Sequence, residues 1–211
     1  MIKEAKTLLL NIDNQFDESL KLAHELYLTG SIFIYPTDTI YGFGGNPFNE
    51  NVLKKISNVK GKPNWRRYIF LIPDIETLKN YIELNSEKYL DFLLSVWPNP
   101  VSVILKLNKR YQEVLQMETA AFRIPNHRFC LKLLNELKMP LISTSVNRTG
   151  KEPMNDPTMI IQEFSNEVDA IFFSGTKSYV EASTLIDLSA DEPKFVREGR
   201  IKFVDLMKKL S

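Results

Sequence analysis

Residues 31–45 read SIFIYPTDTIYGFGG. The β-forming run Ile32–Tyr35 breaks at Pro36, and Thr37, Asp38 and Thr39 follow at once. Gly42, Gly44 and Gly45 then strip side chains from the backbone. A buried strand that ends in small hydroxyls and bare backbone suits a pocket, because layered α/β folds bind ligands beyond their strand ends.

Outward from this stretch, strand and helix patterns alternate along the chain. Residues 16–29 carry Phe16, Leu20, Ala23, Leu26 and Tyr27 at helical spacing, with Gly30 as a stop. Further helices are expected over 50–58 after Asn49, 75–82 after Asp74, 87–96 after Ser86, 126–138 from Asn126, 157–164 after Asp156 and 202–210. Strands are expected at 31–35, 68–72, 101–107, 120–124, 140–144, 169–175, 182–188 and 194–198. The strands at 169–174 and 182–187 have no helix between them and are expected to be antiparallel or distant. The alternation predicts a three-layer α/β (mixed α+β) domain, a twisted mixed sheet of about seven strands between helices. The 211 residues show no repeat and no long linker, so a single domain, 1–211, is the economical reading.

The composition is ordinary for a globular chain: 44% hydrophobic, 25% charged, net charge +1. That balance disfavours a large nucleic-acid footprint. Cys130 is the single cysteine, so no intrachain disulfide can form, and it reads as a core residue. His24 and His127 are isolated, and zinc-ligand spacing is absent. The first residues, MIKEAKTLLLNIDNQ, hold an apolar stretch too short for a signal segment. No apolar run reaches the ~20 residues of a membrane span. A cytoplasmic protein without membrane contact is expected.

Several familiar chemistries fail on spacing. YGFGGNPF (41–48) lacks the third glycine of a dinucleotide loop; there is no G-x-x-x-x-G-K-[ST] and no G-x-S-x-G. What remains is a set of loops at strand ends: PTDT, KGKPNWRR (60–67), STSVNRTG (143–150), SGTKSYVEAST (174–184) and VREGR (196–200). They are rich in hydroxyls, amides, Lys and Arg, which suits an anionic ligand with several oxygens. Each has a plainer reading. Lys60, Lys62, Arg66 and Arg67 can be a solvated basic loop. Ser145 and Asn147 can be turn residues, Thr37 and Thr39 can satisfy turn backbone, and the glycines can serve tight geometry alone.

The joint arrangement resembles the YrdC family of threonylcarbamoyl-AMP synthases. YPTDTIYGFG (35–44), KGKP (60–63), STSVNRTG (143–150) and EASTLIDL with FVREG (181–199) carry the resemblance in family order. WPNPVSVIL (97–105) and TAAFRIPNH (119–127) match between them. The resemblance implies a YrdC-like fold with a concave groove, spanning about 18–201. It implies synthesis of L-threonylcarbamoyl-AMP from ATP, L-threonine and bicarbonate, with release of pyrophosphate. Mg²⁺, held mainly by the phosphates, is the implied cofactor, with no protein metal site. The implied downstream partner is a tRNA threonylcarbamoyl transferase. By resemblance, Lys60 and Lys62 face the triphosphate as catalytic residues. Thr39, Arg123, Ser145 and Ser183 contact threonine, and Lys62, Arg66, Thr119, Asn147 and Arg197 contact ATP. The chain departs from the family at Lys62, which replaces the arginine of K-x-R. It departs at Leu71, where some members carry histidine, at Asn155, where a hydroxyl is usual, and at Trp65-Arg66-Arg67. These departures point to a relaxed or different acyl substrate as one alternative. An RNA contact through residues 60–67 is another. The chain stops soon after VREG, so the extra C-terminal domain of longer relatives is expected to be absent.

Overall fold

The computed structural model describes residues 6–61, 65–83, 87–175 and 181–210. In chain order the elements are β1 (Leu8–Asn11), α1 (Phe16–Thr29), β2 (Phe33–Tyr35), β3 (Gly42–Gly44), α2 (Glu50–Lys60) and a 3₁₀ turn (Trp65–Arg67). Next come β4 (Ile69–Leu71), α3 (Ile75–Lys79), α4 (Glu87–Val96), β5 (Val101–Lys106), α5 (Lys109–Leu115), β6 (Thr119–Arg123) and α6 (Arg128–Leu137). The chain continues through β7 (Leu141–Ser145), α7 (Pro157–Phe164), β8 (Ala170–Phe173), β9 (Thr184–Asp187), β10 (Lys194–Arg197) and α8 (Phe203–Leu210).

The ten strands form one mixed sheet in the order β1-β8-β2-β3-β7-β4-β6-β5-β9-β10. This exceeds the count of about seven; the eight strand segments expected are all present, and β1 and β3 are the two that the sequence reading left out. β8 and β9 stand on opposite sides of the sheet's centre, so the strands without a helix between them are distant rather than paired.

Period-two alternation along the strands builds the layers. Ile34, Phe70, Ile142 and Ile171 enter one core. Phe33, Tyr35, Leu71, Leu141, Ala170 and Phe172 enter the other, with Leu20, Ala23 and Tyr27 of α1 and Phe129, Cys130, Leu133 and Leu134 of α6. Cys130 is fully buried, as expected of a core residue.

The caps follow the sequence at several helices. Asn49 accepts from the Asn51 and Val52 N–H groups, Asp74 from Thr77 and Asp156 from Thr158. Gly30 ends α1 at φ 73°. At α6 the cap position is His127 rather than Asn126, and the helix runs Arg128–Leu137 where 126–138 was expected. Ser86, the expected cap of α4, lies outside the described residues.

The centre of the sheet is crowded at β3. A Cβ on Gly44 would lie 2.6 Å from Tyr35 and 2.7 Å from Phe33, so glycine lets β3 lie beside β2 under two rings. On its other side, β3 pairs antiparallel with β7, Gly42 opposite Ser145. That pairing brings the PTDT turn and the end of β7 together.

Candidate active site

The PTDT turn is built by Thr37. Its Oγ1 accepts from the Thr39 N–H at 3.0 Å, donates to the Ile40 carbonyl at 2.7 Å and lies 3.0 Å from Thr39 Oγ1. The plainer reading of Thr37 therefore holds. Thr39 differs, because its Oγ1 also accepts from Arg123 Nη1 at 2.9 Å.

Arg123 is 2% exposed at the end of β6. Asp38 approaches its Nη2 at 3.5 Å, and both Asp38 carboxylate oxygens and Arg123 Nε lack hydrogen-bond partners. A buried guanidinium with donors to spare is costly unless an anion occupies the space beside it.

That space is a cavity of about 150 Å³ lined by Thr39, Ile40, Tyr41, Arg67, Ile69, Arg123, Ser143, Thr144, Ser145, Ala182, Ser183 and Arg197. No carboxylate lines it among the described residues. It is smaller than the ~300–1,000 Å³ typical of ligand pockets, and so suits an amino acid rather than a whole nucleotide.

Its far wall comes from β9 and β10. Ser183 Oγ lies 2.8 Å from Ser102 Oγ of β5, and Arg197 Nη2 donates to the Ser183 carbonyl at 2.9 Å. Burial, and then the nearby charge of Arg123, lower the pKa of Arg197.

The third wall is the turn after β7. Ser145 Oγ donates to Asn147 Oδ1 at 2.6 Å. Lys60, at the C-terminus of α2, reaches this turn from behind. Its Nζ donates to the carbonyls of Ser145 and Asn147, the latter at 3.2 Å, and to Asn147 Oδ1 at 2.7 Å. Burial lowers its pKa to about 8.

Five of the expected residues, Thr39, Arg123, Ser145, Ser183 and Arg197, thus meet around one cavity, and Asn147 is bonded to its rim. Lys60 does not line the cavity; it clamps the Ser145–Asn147 turn. Thr119 begins β6, four residues from Arg123 on the same face and roughly 13 Å along the strand. Arg66 lies on the 3₁₀ turn outside the lining. Lys62 lies outside the described residues.

Two departures receive a structural account. Leu71 is fully buried in the second core and does not line the cavity, whereas Ile69, on the same face of β4, does. Asn155 Oδ1 accepts from the Tyr41 N–H at 3.1 Å, so it supports the cavity wall at that residue. Sequence reasoning missed Tyr41, Arg67 and Ser143. The only signal for Arg67 is its place beside Arg66 in a basic run.

A larger cavity, about 560 Å³, opens on the other side of the turn, lined by Asp13, Asp38, His127, Arg128 and Arg200 among others. None of the expected site residues lines it.

The model of the Sua5/YciO/YrdC family, described as telomere recombination, matches residues 25–199. The chain belongs to the Sua5/YciO/YrdC family. A threonylcarbamoyl-AMP synthase from Pyrococcus abyssi (strain GE5 / Orsay) is 26% identical over 205 residues, covering 96% of this chain and 60% of that protein. The chain therefore spans about 60% of the length of this curated relative. The crystal structure of P. abyssi Sua5 complexed with L-threonine superposes with a TM-score of 0.88 at 26% identity, over 96% of this chain and 61% of that one. E. coli YciO superposes at 0.82, also 26% identical, over 94% of this chain and 97% of that one. These matches agree with the mixed sheet between helices. Among the described residues no helix is long and apolar enough to cross a membrane.

Proposed function

We propose that this family member synthesises L-threonylcarbamoyl-AMP from L-threonine, bicarbonate and ATP. The observation that carries the reading is the meeting of Thr39, Arg123, Ser145, Ser183 and Arg197 around one small cavity that no carboxylate lines among the described residues. A P. abyssi relative carries the synthase name, and P. abyssi Sua5 is described in complex with L-threonine.

The reaction has two steps. The neutral amine of threonine attacks the carbon of bicarbonate; a C–N bond forms and water leaves, giving a carbamate. A carbamate oxygen then attacks the α-phosphorus of ATP. The new P–O bond forms as the bond to the β-phosphate bridge breaks, and pyrophosphate departs. Neither step needs a covalent enzyme nucleophile, so the work is positioning and charge neutralisation.

The residues suit that division. Arg123, held by Thr39 and Asp38, offers its unpaired donors to the threonine carboxylate. Ser183 and Thr39 are within the same lining and reach the hydroxyl and amine end. Arg197, which shares the cavity lining with Arg123, faces the charge that develops on the phosphate. The Ser145–Asn147 turn, clamped by Lys60, forms the nucleotide edge.

Mg²⁺ fits this site only as an ion carried by the triphosphate. The cavity lining offers it no carboxylate, and the described residues contain no cluster of three metal-ligating side chains. Bound phosphates and water satisfy Mg²⁺ in that mode, and the ion supplies neutralisation of phosphate charge. We also place the product upstream of a tRNA threonylcarbamoyl transferase, since a mixed anhydride with AMP as leaving group is consumed by acyl transfer.

The test is threonine-dependent release of pyrophosphate, with a threonylcarbamoyl-AMP mass among the products. Release that is equal with and without threonine would remove the reading.

A further inference from the structure

Arg67 lines the small cavity beside Arg123 and Arg197, yet belongs to no segment that carries the family resemblance. It ends the 3₁₀ turn Trp65–Arg67, two residues before Ile69, which lines the same wall. Its side chain is exposed.

Three arginines thus line a space of about 150 Å³. The nearest acid is Asp38, 3.5 Å from Arg123, with its carboxylate oxygens buried away from solvent. It offsets one positive charge and leaves about two facing the cavity. Like charges in a partly desolvated space repel, and an occupant of matching charge relieves them.

Free threonine is a zwitterion of net charge zero. Its ammonium is a poor neighbour for three arginines. N-carboxylation replaces that ammonium with a second carboxylate, and the occupant becomes a dianion. Its charge then matches the cavity. The family's K-x-R element would bring an arginine fork, but this chain has lysine at position 62. Lysine keeps the charge without the planar pair of donors. Arg67, five positions on in the sequence, has such a fork and lines the cavity.

We propose that Arg67 is the residue that receives the carbamate carboxylate, so that the cavity is built for the dianionic N-carboxy amino acid rather than for the free amino acid. This rests on the function proposed above. It assigns a subsite for the carboxylated intermediate and makes Arg67 a specificity-determining residue of this chain.

The experiment compares wild type, Arg67→Ala and Arg67→Lys. Thermal stability is read with L-threonine alone and with L-threonine plus bicarbonate, at constant pH and ionic strength. Initial rates of pyrophosphate release are read over bicarbonate and ATP. In wild type, bicarbonate adds to the threonine-dependent shift. Arg67→Ala loses that increment and keeps the shift from threonine alone. Its apparent bicarbonate constant rises by about tenfold or more, as loss of one charge-assisted contact would produce, with the ATP constant within about twofold. Arg67→Lys falls between. An unchanged bicarbonate increment in Arg67→Ala would overturn the proposal and leave the synthase reading standing. A rise in the ATP constant alone would also overturn it, by making Arg67 a phosphate contact. A wild type that shows no response to threonine, with or without ATP and bicarbonate, would overturn both.

Discussion

Lys60 holds three oxygens of the Ser145–Asn147 turn with one buried ammonium. A neutral amine has two donors and a lone pair, and cannot serve three acceptors. Lys60→Ala is therefore expected to lower adenylate formation at least about tenfold, through a loosened turn rather than through loss of a direct phosphate contact. The pH dependence separates activity from stability. The folded pKa of Lys60 is about 8, against an ordinary value of 10.5. Between those values the unfolded chain binds more protons than the folded one. This group alone then makes stability rise with pH, because the cost of the buried charge disappears. Below pH 8 both states are protonated and the full cost is present. Activity is expected to move oppositely and to fall as the pH passes about 8. Comparing wild type with Lys60→Met across pH 7–10, by denaturant unfolding and by ATP constant, checks both signs. A variant with the same two profiles as wild type would remove the clamp. Ser183 has the simpler role. Ser183→Ala is expected to raise the apparent threonine constant more than the ATP constant, and equal rises would assign the residue to another ligand.

At the scale of elements, the close approach of β9 and β10 holds the far wall. A Cβ on Gly199 would lie 2.3 Å from the Ala182 carbonyl oxygen and 2.7 Å from Ser183 backbone atoms. These are backbone positions, so the chain must shift. Gly199→Ala is therefore expected to displace Ser183 and weaken binding of threonine while α1, α6 and their core stay intact. Loss of threonine-dependent stabilisation with retained cooperative unfolding checks it; an unaltered threonine response would contradict it. The same scale shows why some elements escaped sequence reading. β3 is three residues with glycine at both ends, and its strand conformation comes from pairing with β2 and β7 rather than from β-propensity. β1 is four residues that become an edge strand only beside β8. α5 buries one residue, Leu115, so it carries no apolar face to detect. By contrast α1, α4 and α7 start and end where periodicity and caps placed them, because each presents a continuous stripe to a core.

For the whole molecule, the mixed three-layer sheet was legible because apolar alternation reports both faces of every central strand. The cavity was legible only through the joint order of its segments. Thr39, Arg123, Ser145, Ser183 and Arg197 come from five segments separated by up to 158 positions, and no local pattern links them. Arg67 was illegible, since an exposed arginine beside another carries no periodicity and no turn chemistry. Tyr41 and Ser143 were hidden for a different reason: Ser143 lies on β7 and Tyr41 directly before β3, where an apolar or small residue reads first as core. Ligands that bind the folded state alone raise its stability by mass action. The most direct test of the account is pyrophosphate release by the purified chain with ATP, Mg²⁺ and bicarbonate, measured with and without L-threonine. The account predicts release that depends on L-threonine and a threonylcarbamoyl-AMP mass in the products. Release that ignores threonine, or none from a folded chain that binds ATP, would contradict it.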